Sequence, residues 1–149
     1  MIFIIIWDII TALLVVGIFL PPILLAKWKI TEAALIYIFY SKVCHQNPAS
    51  SYFLWGSKMA VCSRCTGIYL ALFLGGILNT VVNWRAISLK VFICFQIPLI
   101  VDVVANALKI YPPILPIKTI TGFLSGFGVT IFLLPRLKRA DKVGKPRCQ

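Results

Sequence analysis

The chain has 149 residues, of which 60% are hydrophobic and only 13% are charged. Soluble domains are about 45–50% apolar and about 25% charged, so this composition excludes a disordered chain and disfavours a soluble domain. Lys and Arg number 15 against 4 Asp and Glu, for a net charge of +11. The basic residues stand between and after apolar runs, not on a polar face with interleaved aromatic residues. We therefore expect anionic lipid headgroups, and not nucleic acid, as their partner.

Four apolar runs are long enough to cross a bilayer, which takes about 20 residues of helix. The first could be a signal peptide, but no basic segment precedes it and no small-residue cleavage site follows it, so we expect it to be retained. The fourth run is expected to end at Pro135, because proline lacks a backbone donor and basic residues follow it. The predicted spans cover residues 2–26, 66–83, 89–108 and 117–134.

The connector between the first and second spans covers residues 27–65 and contains an apolar stretch from Ile30 to Val43. This stretch is too short to cross the membrane, so we predict an interfacial or re-entrant helix. The sequence thus predicts an all-α membrane protein with a single integral domain over residues 1–149. It would consist of four transmembrane helices, one short helix and a basic tail at 135–149.

Small residues recur on the second and fourth spans. Gly122 and Gly126 form a G-x-x-x-G pattern, which allows helix backbones to approach closely. Gly67, Gly75 and Gly76 offer the same opportunity on the second span. We therefore predict that these two helices pack together.

Basic residues also indicate orientation. With four spans both ends of the chain lie on one side, and the densest cluster of bases near a helix end follows Pro135. This favours cytoplasmic termini and an extracytoplasmic connector, and the frequent Ile and Lys residues favour a prokaryotic plasma membrane. The tail bases are Arg136, Lys138, Arg139, Lys142, Lys145 and Arg147.

Three of the five cysteines and the single histidine fall within 22 positions of the connector, from Cys44 to Cys65. A C-x-x-C pair and a distant Cys or His can hold one tetrahedral ion, with Zn–S near ~2.3 Å. Cys44, His45, Cys62 and Cys65 are therefore candidate metal ligands, with zinc the expected ion and another soft metal an alternative. Adjacent residues point apart in regular structure, so either the backbone is irregular at Cys44 or only one of the first pair is a ligand.

Two other interpretations of these cysteines stay open. One is a disulfide, between Cys62 and Cys65 or between Cys44 and Cys62, or thiol redox chemistry favoured by a lowered thiol pKa at a helix start. The other is that the thiols are inert and buried. Cys94 is expected to serve packing within the third span, and Cys148 to lie in the tail apart from the cluster.

Asp102 lies near the middle of the third span, where an ionised carboxylate costs at least ~2.5–3.5 kcal/mol. Asn106 follows four residues later and shares its helix face. The carboxylate has two interpretations: a structural partner for Lys118, Arg64 or threonine hydroxyls, or a site of proton or cation transport. Asp8 stands closer to a membrane face and is expected to be interfacial.

A C-H-Q motif at Cys44 is followed by C-S-R-C-T-G-I-Y beginning at Cys62. Further along, Asp102 follows Pro98, and a T-G pair begins at Thr121. This pattern resembles the domain of unknown function 2085 family of small predicted membrane proteins. The resemblance implies four spans and a shared Cys/His site, and it implies no activity.

Together these features favour an accessory or structural subunit of a larger membrane complex, with other membrane subunits as partners. No complete catalytic constellation is recognisable, so no catalytic residue and no organic cofactor are predicted. The alternative is a membrane thiol or metal redox enzyme in which Cys62 and Cys65 exchange electrons with a quinone or a thiol protein. A weaker alternative is proton or cation transport past Asp102.

Overall fold

The computed structural model describes residues 2–82, 85–112 and 114–143. Four helices in these ranges are long and apolar enough to cross a membrane, which confirms the predicted all-α membrane fold with four spans. The helices are α1 (Ile2–Ala26), α2 (Ile30–Ser41), α3 (Ser63–Val81), α4 (Leu89–Ala107) and α5 (Leu115–Val143). The connector also holds a 3-10 turn (Pro48–Ser50) and two short antiparallel strands, β1 (Phe53–Leu54) and β2 (Ser57–Lys58).

Helix α2 is the short helix that the sequence predicted in the connector. Its 12 residues span about 18 Å, which is less than the thickness of a hydrocarbon core. It packs along α1, where the Tyr40 hydroxyl donates a hydrogen bond of 2.6 Å to the Leu14 carbonyl oxygen. Leu35, Ile38 and Phe39 remain exposed, and Leu35 and Phe39 line a groove between α2 and α1. An interfacial or re-entrant position of α2 stays a prediction.

Helices α3 and α5 make the closest backbone contact in the bundle. A Cβ built on Gly122 would lie under 3.0 Å from the carbonyl oxygen of Arg64, and one built on Gly67 would meet that of Thr119 equally closely. Gly126 lies against α3 one turn further along. The contacts advance in the same direction along both helices, so α3 and α5 run parallel and both begin at the connector end. The predicted packing of the second and fourth spans is confirmed.

A proline in α1 helps to attach the connector to the bundle. Pro22 lacks an N–H group, so the Ile18 carbonyl oxygen has no partner within its own helix. The Ala60 N–H donates to this oxygen at 3.3 Å. Around this bond Ile18, Val61 and Cys44 pack in one buried core cluster. The connector is therefore held against α1 immediately before the second cysteine motif.

Contrary to what the sequence led us to expect, the fourth long helix does not end at Pro135, while the membrane boundary at residue 134 and the basic tail at 135–149 stay predictions. Helix α5 continues to Val143. Pro135 leaves the Ile131 carbonyl oxygen without its usual helical donor. Arg136 adds contacts to the next residue, because its Nη1 donates to the Phe132 carbonyl oxygen at 2.6 Å and its guanidinium carbon lies 3.6 Å from the Phe132 ring centroid. Of the predicted tail residues, Lys145, Arg147 and Cys148 lie outside the described residues.

Asp8 lies at the contact between α1 and α3. The Thr80 hydroxyl donates to its Oδ2 at 3.3 Å, and its Oδ1 is buried against Gly76. The Lys138 ammonium donates to the Asn79 carbonyl oxygen at the same end of the bundle. Asp8 thus forms part of the contact between the start of α1 and the end of α3.

The side chain of Asn79 next to this contact is fully buried, and neither of its amide atoms has a hydrogen-bond partner among the described residues. Burying an amide without a partner costs about 1–3 kcal/mol. Asn79→Leu, which keeps the approximate volume, is expected to raise the unfolding midpoint in detergent. Asn106→Leu is the matched control and should lower it, since that amide oxygen accepts a hydrogen bond from Lys118. Equal losses in both variants would contradict this account.

Candidate metal centre

Three cysteines meet where the connector joins the helix bundle. Cys44 follows the end of α2, Cys62 is the N-cap residue of α3, and Cys65 lies in the first turn of α3. Their three Sγ atoms all lie within 4.8 Å of one another. The structure therefore brings together three of the four side chains that the sequence indicated as metal ligands.

The backbone of the connector explains how Cys44 reaches the start of α3. The N–H of Cys44 donates to the Tyr40 carbonyl oxygen at 2.9 Å, which holds the residue against the end of α2. The β1–β2 hairpin turns at Gly56, whose φ of +76° suits glycine, and returns the chain towards α1. The Tyr37 hydroxyl donates to the Lys58 carbonyl oxygen and ties the returning strand to α2. Residues eighteen positions apart are thereby placed side by side.

Backbone amides converge on the sulfur of Cys44. The N–H of Cys62 donates to this Sγ at 3.2 Å and the N–H of Gln46 at 3.5 Å. Hydrogen bonds from the Cys62 and Cys65 thiols, aided by these amides, outweigh burial and hold the pKa of Cys44 well below its ordinary value. Cys44 is therefore suited to be a thiolate.

The pKa of Cys62 shifts in the opposite direction. The hydrogen bond of its thiol to Cys44, together with burial, raises the pKa of Cys62 above its ordinary value. Three neighbouring thiolates would repel one another in a partly buried site. A divalent cation at the centre would remove this repulsion, because it supplies two positive charges and deprotonates its thiol ligands. The donor set therefore fits a soft or borderline metal ion.

His45 is exposed and does not belong to the group formed by the three cysteines. The chain turns sharply after it, since Gln46 has a φ of +49°. This conformation is held by the Gln46 side chain, whose Nε2 donates to the Tyr37 carbonyl oxygen at 2.7 Å. Of the adjacent pair, the structure brings Cys44 to the site and leaves His45 outside it.

Asp102 lies close to the cysteines in a separate polar cluster. Its Oδ2 is paired with Nε of Arg64, whose Nη2 also donates to the Asp102 carbonyl oxygen at 3.3 Å. The Tyr111 hydroxyl donates to Oδ1, and this bond raises the pKa of Tyr111. The carboxylate is only 4% exposed, so these partners replace water around it. Arg64 thus fulfils the structural role that the sequence suggested for it.

The structure places Asp102 nearer one end of the helix bundle than the sequence led us to expect. The sequence placed it near the middle of its span, but it stands five residues before the end of α4 at Ala107. Its partner Arg64 lies in the first turn of α3. The last turns of α4 therefore lie at the same end of the bundle as the first turn of α3. Asp102 is therefore at the connector end of the bundle.

Lys118 is buried beside this pair, with only 1% of its surface exposed. Its ammonium donates to Ser50 Oγ at 2.7 Å and to Asn106 Oδ1 at 3.1 Å, and both acceptors are neutral. Asn106, which was predicted to share a polar face with Asp102, thus holds Lys118. Sequence reasoning missed Ser50 and Tyr111, since both lie in irregular segments without a periodic pattern.

The remaining polar and cysteine side chains of α4 lie apart from the centre. Gln96 exchanges hydrogen bonds with Ser125 on α5. Cys94 lies outside the cysteine group. It is exposed, so the expectation that it serves packing is wrong for the contacts within this chain.

A bundle of four apolar helices with a cysteine cluster at one end defines a small polytopic membrane protein. The chain belongs to the domain of unknown function 2085 family, described as "Predicted membrane protein", whose pattern matches residues 44–132. An uncharacterised protein of Methanocaldococcus jannaschii is 35% identical over 112 residues, which cover 72% of this chain and 71% of that relative. No solved structure matches the chain. The family match begins at Cys44 and so includes the whole cysteine cluster.

Proposed function

We propose that the protein is a small integral membrane subunit whose connector is fixed to the helix bundle by a zinc ion bound to Cys44, Cys62 and Cys65. The observation that carries the proposal is the convergence of three Sγ atoms within 4.8 Å, two of them from residues at the start of one helix. Ligands at a Zn–S distance of ~2.3 Å around a tetrahedral ion lie roughly 3.8 Å apart. Small side-chain movements are enough to reach that arrangement.

A metal ion bound to the three cysteines would stabilise the attachment of the connector to the helix bundle. It would join the end of α2 to the start of α3, two elements that are separated in sequence by the rest of the connector. In small proteins the free energy of metal binding contributes directly to folding. The connector would then stay packed over the bundle even where its own hydrogen bonds are few.

The biological role that we propose is that of an accessory or structural subunit in a larger membrane complex. The mass is only 16.7 kDa, and most of it lies in the helices of the bundle. We further propose a prokaryotic plasma membrane with both termini in the cytoplasm. Bases at the terminal side of the bundle support this orientation, among them Arg85 between α3 and α4 and Arg136 and Arg139 in the last turns of α5.

Metal analysis of the purified protein, combined with counting of alkylatable thiols, tests the zinc site. We expect about one zinc per chain, and the three cluster thiols should react only after chelation. Serine substitution of Cys44, Cys62 or Cys65 should abolish zinc binding. Cys94→Ser is the matched control and should retain it, because Cys94 lies outside the cluster.

A thiol redox function is the second candidate, favoured by the lowered pKa of Cys44 next to two further thiols. In such a reaction two thiols would form a disulfide and pass two electrons and two protons to a quinone or to a disulfide of a partner protein. Metal-free protein with one bridge that dithiothreitol reduces would support this reading and contradict the zinc site.

A further inference from the structure

The donor count at the cysteine cluster is one short of what zinc takes. Zinc in proteins is almost always four-coordinate, and structural sites supply all four ligands from the chain. The cluster contains three sulfurs and no fourth His, Cys, Asp or Glu from the part of the chain that the structure describes. His45, which follows Cys44 directly, is exposed and lies outside the cluster. The hydrogen-bonded turn at Gln46 fixes the backbone beside it.

One side of the cluster is accessible. Cys44 is 6% exposed and packs against the core formed with Ile18 and Val61. Cys62 and Cys65 are only partly buried. A molecule from outside the chain would therefore approach from the side of the second motif, at the start of α3.

The charges around the cluster indicate which kind of molecule fits. Arg64 is neutralised by Asp102, whereas the buried ammonium of Lys118 contacts only neutral oxygens. Lys118 lies within electrostatic range of Arg64 and Asp102, whose charges oppose each other, and of Cys62. A divalent ion with three thiolates carries one negative charge, and Lys118 carries one positive charge. Lys58, whose ammonium donates to the Gln46 carbonyl oxygen at 3.3 Å, is partly exposed and therefore solvated. The buried charges thus balance, and an anionic fourth ligand would leave an uncompensated charge in a partly buried site.

We propose that the metal held by Cys44, Cys62 and Cys65 takes its fourth ligand from outside the chain, and that this ligand is a neutral nitrogen or oxygen donor. The inference rests on the zinc site proposed above. It makes the centre a ligand-accepting site, since three protein ligands and one exchangeable position are the arrangement of reactive zinc centres.

Cobalt substitution tests the proposal, because the visible d–d bands of Co²⁺ report the number and type of its ligands. The full chain in detergent is loaded with Co²⁺, as wild type and as His45→Ala, and titrated with imidazole and separately with azide. We expect the same starting spectrum for both proteins and a saturable shift of the d–d bands with imidazole at the same midpoint. Azide should bind at least about tenfold more weakly, a difference of roughly 1.4 kcal/mol. Cobalt retained after desalting shows that imidazole has not extracted the ion.

The possible failures are distinguishable. If His45→Ala alters the starting spectrum and the wild type does not respond to imidazole, the site is a closed Cys₃His centre. The exchangeable ligand is then refuted while the zinc site stands. If imidazole changes the spectrum of neither protein, the exchangeable ligand is also refuted. If azide binds as tightly as imidazole, the inference that the fourth ligand is a neutral donor is refuted. Absence of thiolate-to-cobalt charge-transfer bands in the wild type refutes the metal site itself.

Discussion

Gly122→Ala is expected to cause one of the largest losses of stability of any single substitution in the chain. The added methyl group would lie under 3.0 Å from the backbone oxygen of Arg64, and a helix backbone cannot move aside as a side chain can. Overpacking of a rigid contact costs about 3 kcal/mol. Because Arg64 stands between Cys62 and Cys65, separation of α3 and α5 should also displace the two sulfurs. We expect a lower thermal midpoint in detergent and reduced zinc content.

Two further substitutions serve as controls for Gly122→Ala. Ile120→Ala lies on the same helix with 59% of its surface exposed, and it should change the midpoint little because lipid or detergent covers that face in both proteins. Gly128→Ala would place its methyl group 2.6 Å from Cβ of Phe95 on α4, an atom that side-chain rotation does not move, so it should also lower the midpoint. Because this contact joins α4 to α5 and does not involve Arg64, the zinc content should stay unchanged. A midpoint for Gly122→Ala equal to that of Ile120→Ala would show that α3 and α5 are further apart than described.

Hydropathy predicted the four spans because long apolar runs depend only on composition and length. The helix ends were predicted less well. Helix α3 begins at Ser63, three residues before the predicted span, because the extended Cys62 is its N-cap residue. Helix α5 passes through Pro135, and Arg136 directly after the proline contacts the carbonyl oxygen and the ring of Phe132. Both effects arise from single residues that an apolar run does not reveal.

The cysteine cluster was predictable to the extent that it depends on local spacing. Cys62 and Cys65 share a face at a helix start whatever the rest of the chain does. The choice between Cys44 and His45 was not predictable, because it depends on the turn at Gln46. That turn is held by a hydrogen bond to Tyr37, nine residues away, and no pattern in the sequence indicates it.

The partner of Asp102 illustrates a second limit. The sequence offered Lys118, Arg64 and threonine hydroxyls as alternatives, and only the register of α4 against α3 decides among them. In the structure Arg64 pairs with the carboxylate, while Lys118 donates to Ser50 and Asn106. Register is set by many packing contacts along both helices, so it is a property of the assembled bundle.

Breaking the Arg64–Asp102 pair is expected to cost about as much as the glycine substitution. The side chains are 20% and 3% exposed, and removal of one partner leaves the other charge buried, which costs about 3–5 kcal/mol. Arg64→Met and Asp102→Leu should each lower the unfolding midpoint strongly. The double variant should be more stable than either single variant, because it buries no charge.

The exposed pair of Lys29 and Glu32 provides the control for this cycle. Its N–O distance of 3.2 Å is that of an ordinary ion pair, but both side chains are more than half exposed. Water and salt screen such a pair, so Glu32→Gln should cost no more than about 0.5 kcal/mol. Comparison of the two pairs therefore separates the effect of burial on stability from the effect of bringing two opposite charges together. Additive losses in Arg64→Met and Asp102→Leu, each no larger than that of Glu32→Gln, would mean that water reaches the connector end of the bundle and solvates both charges.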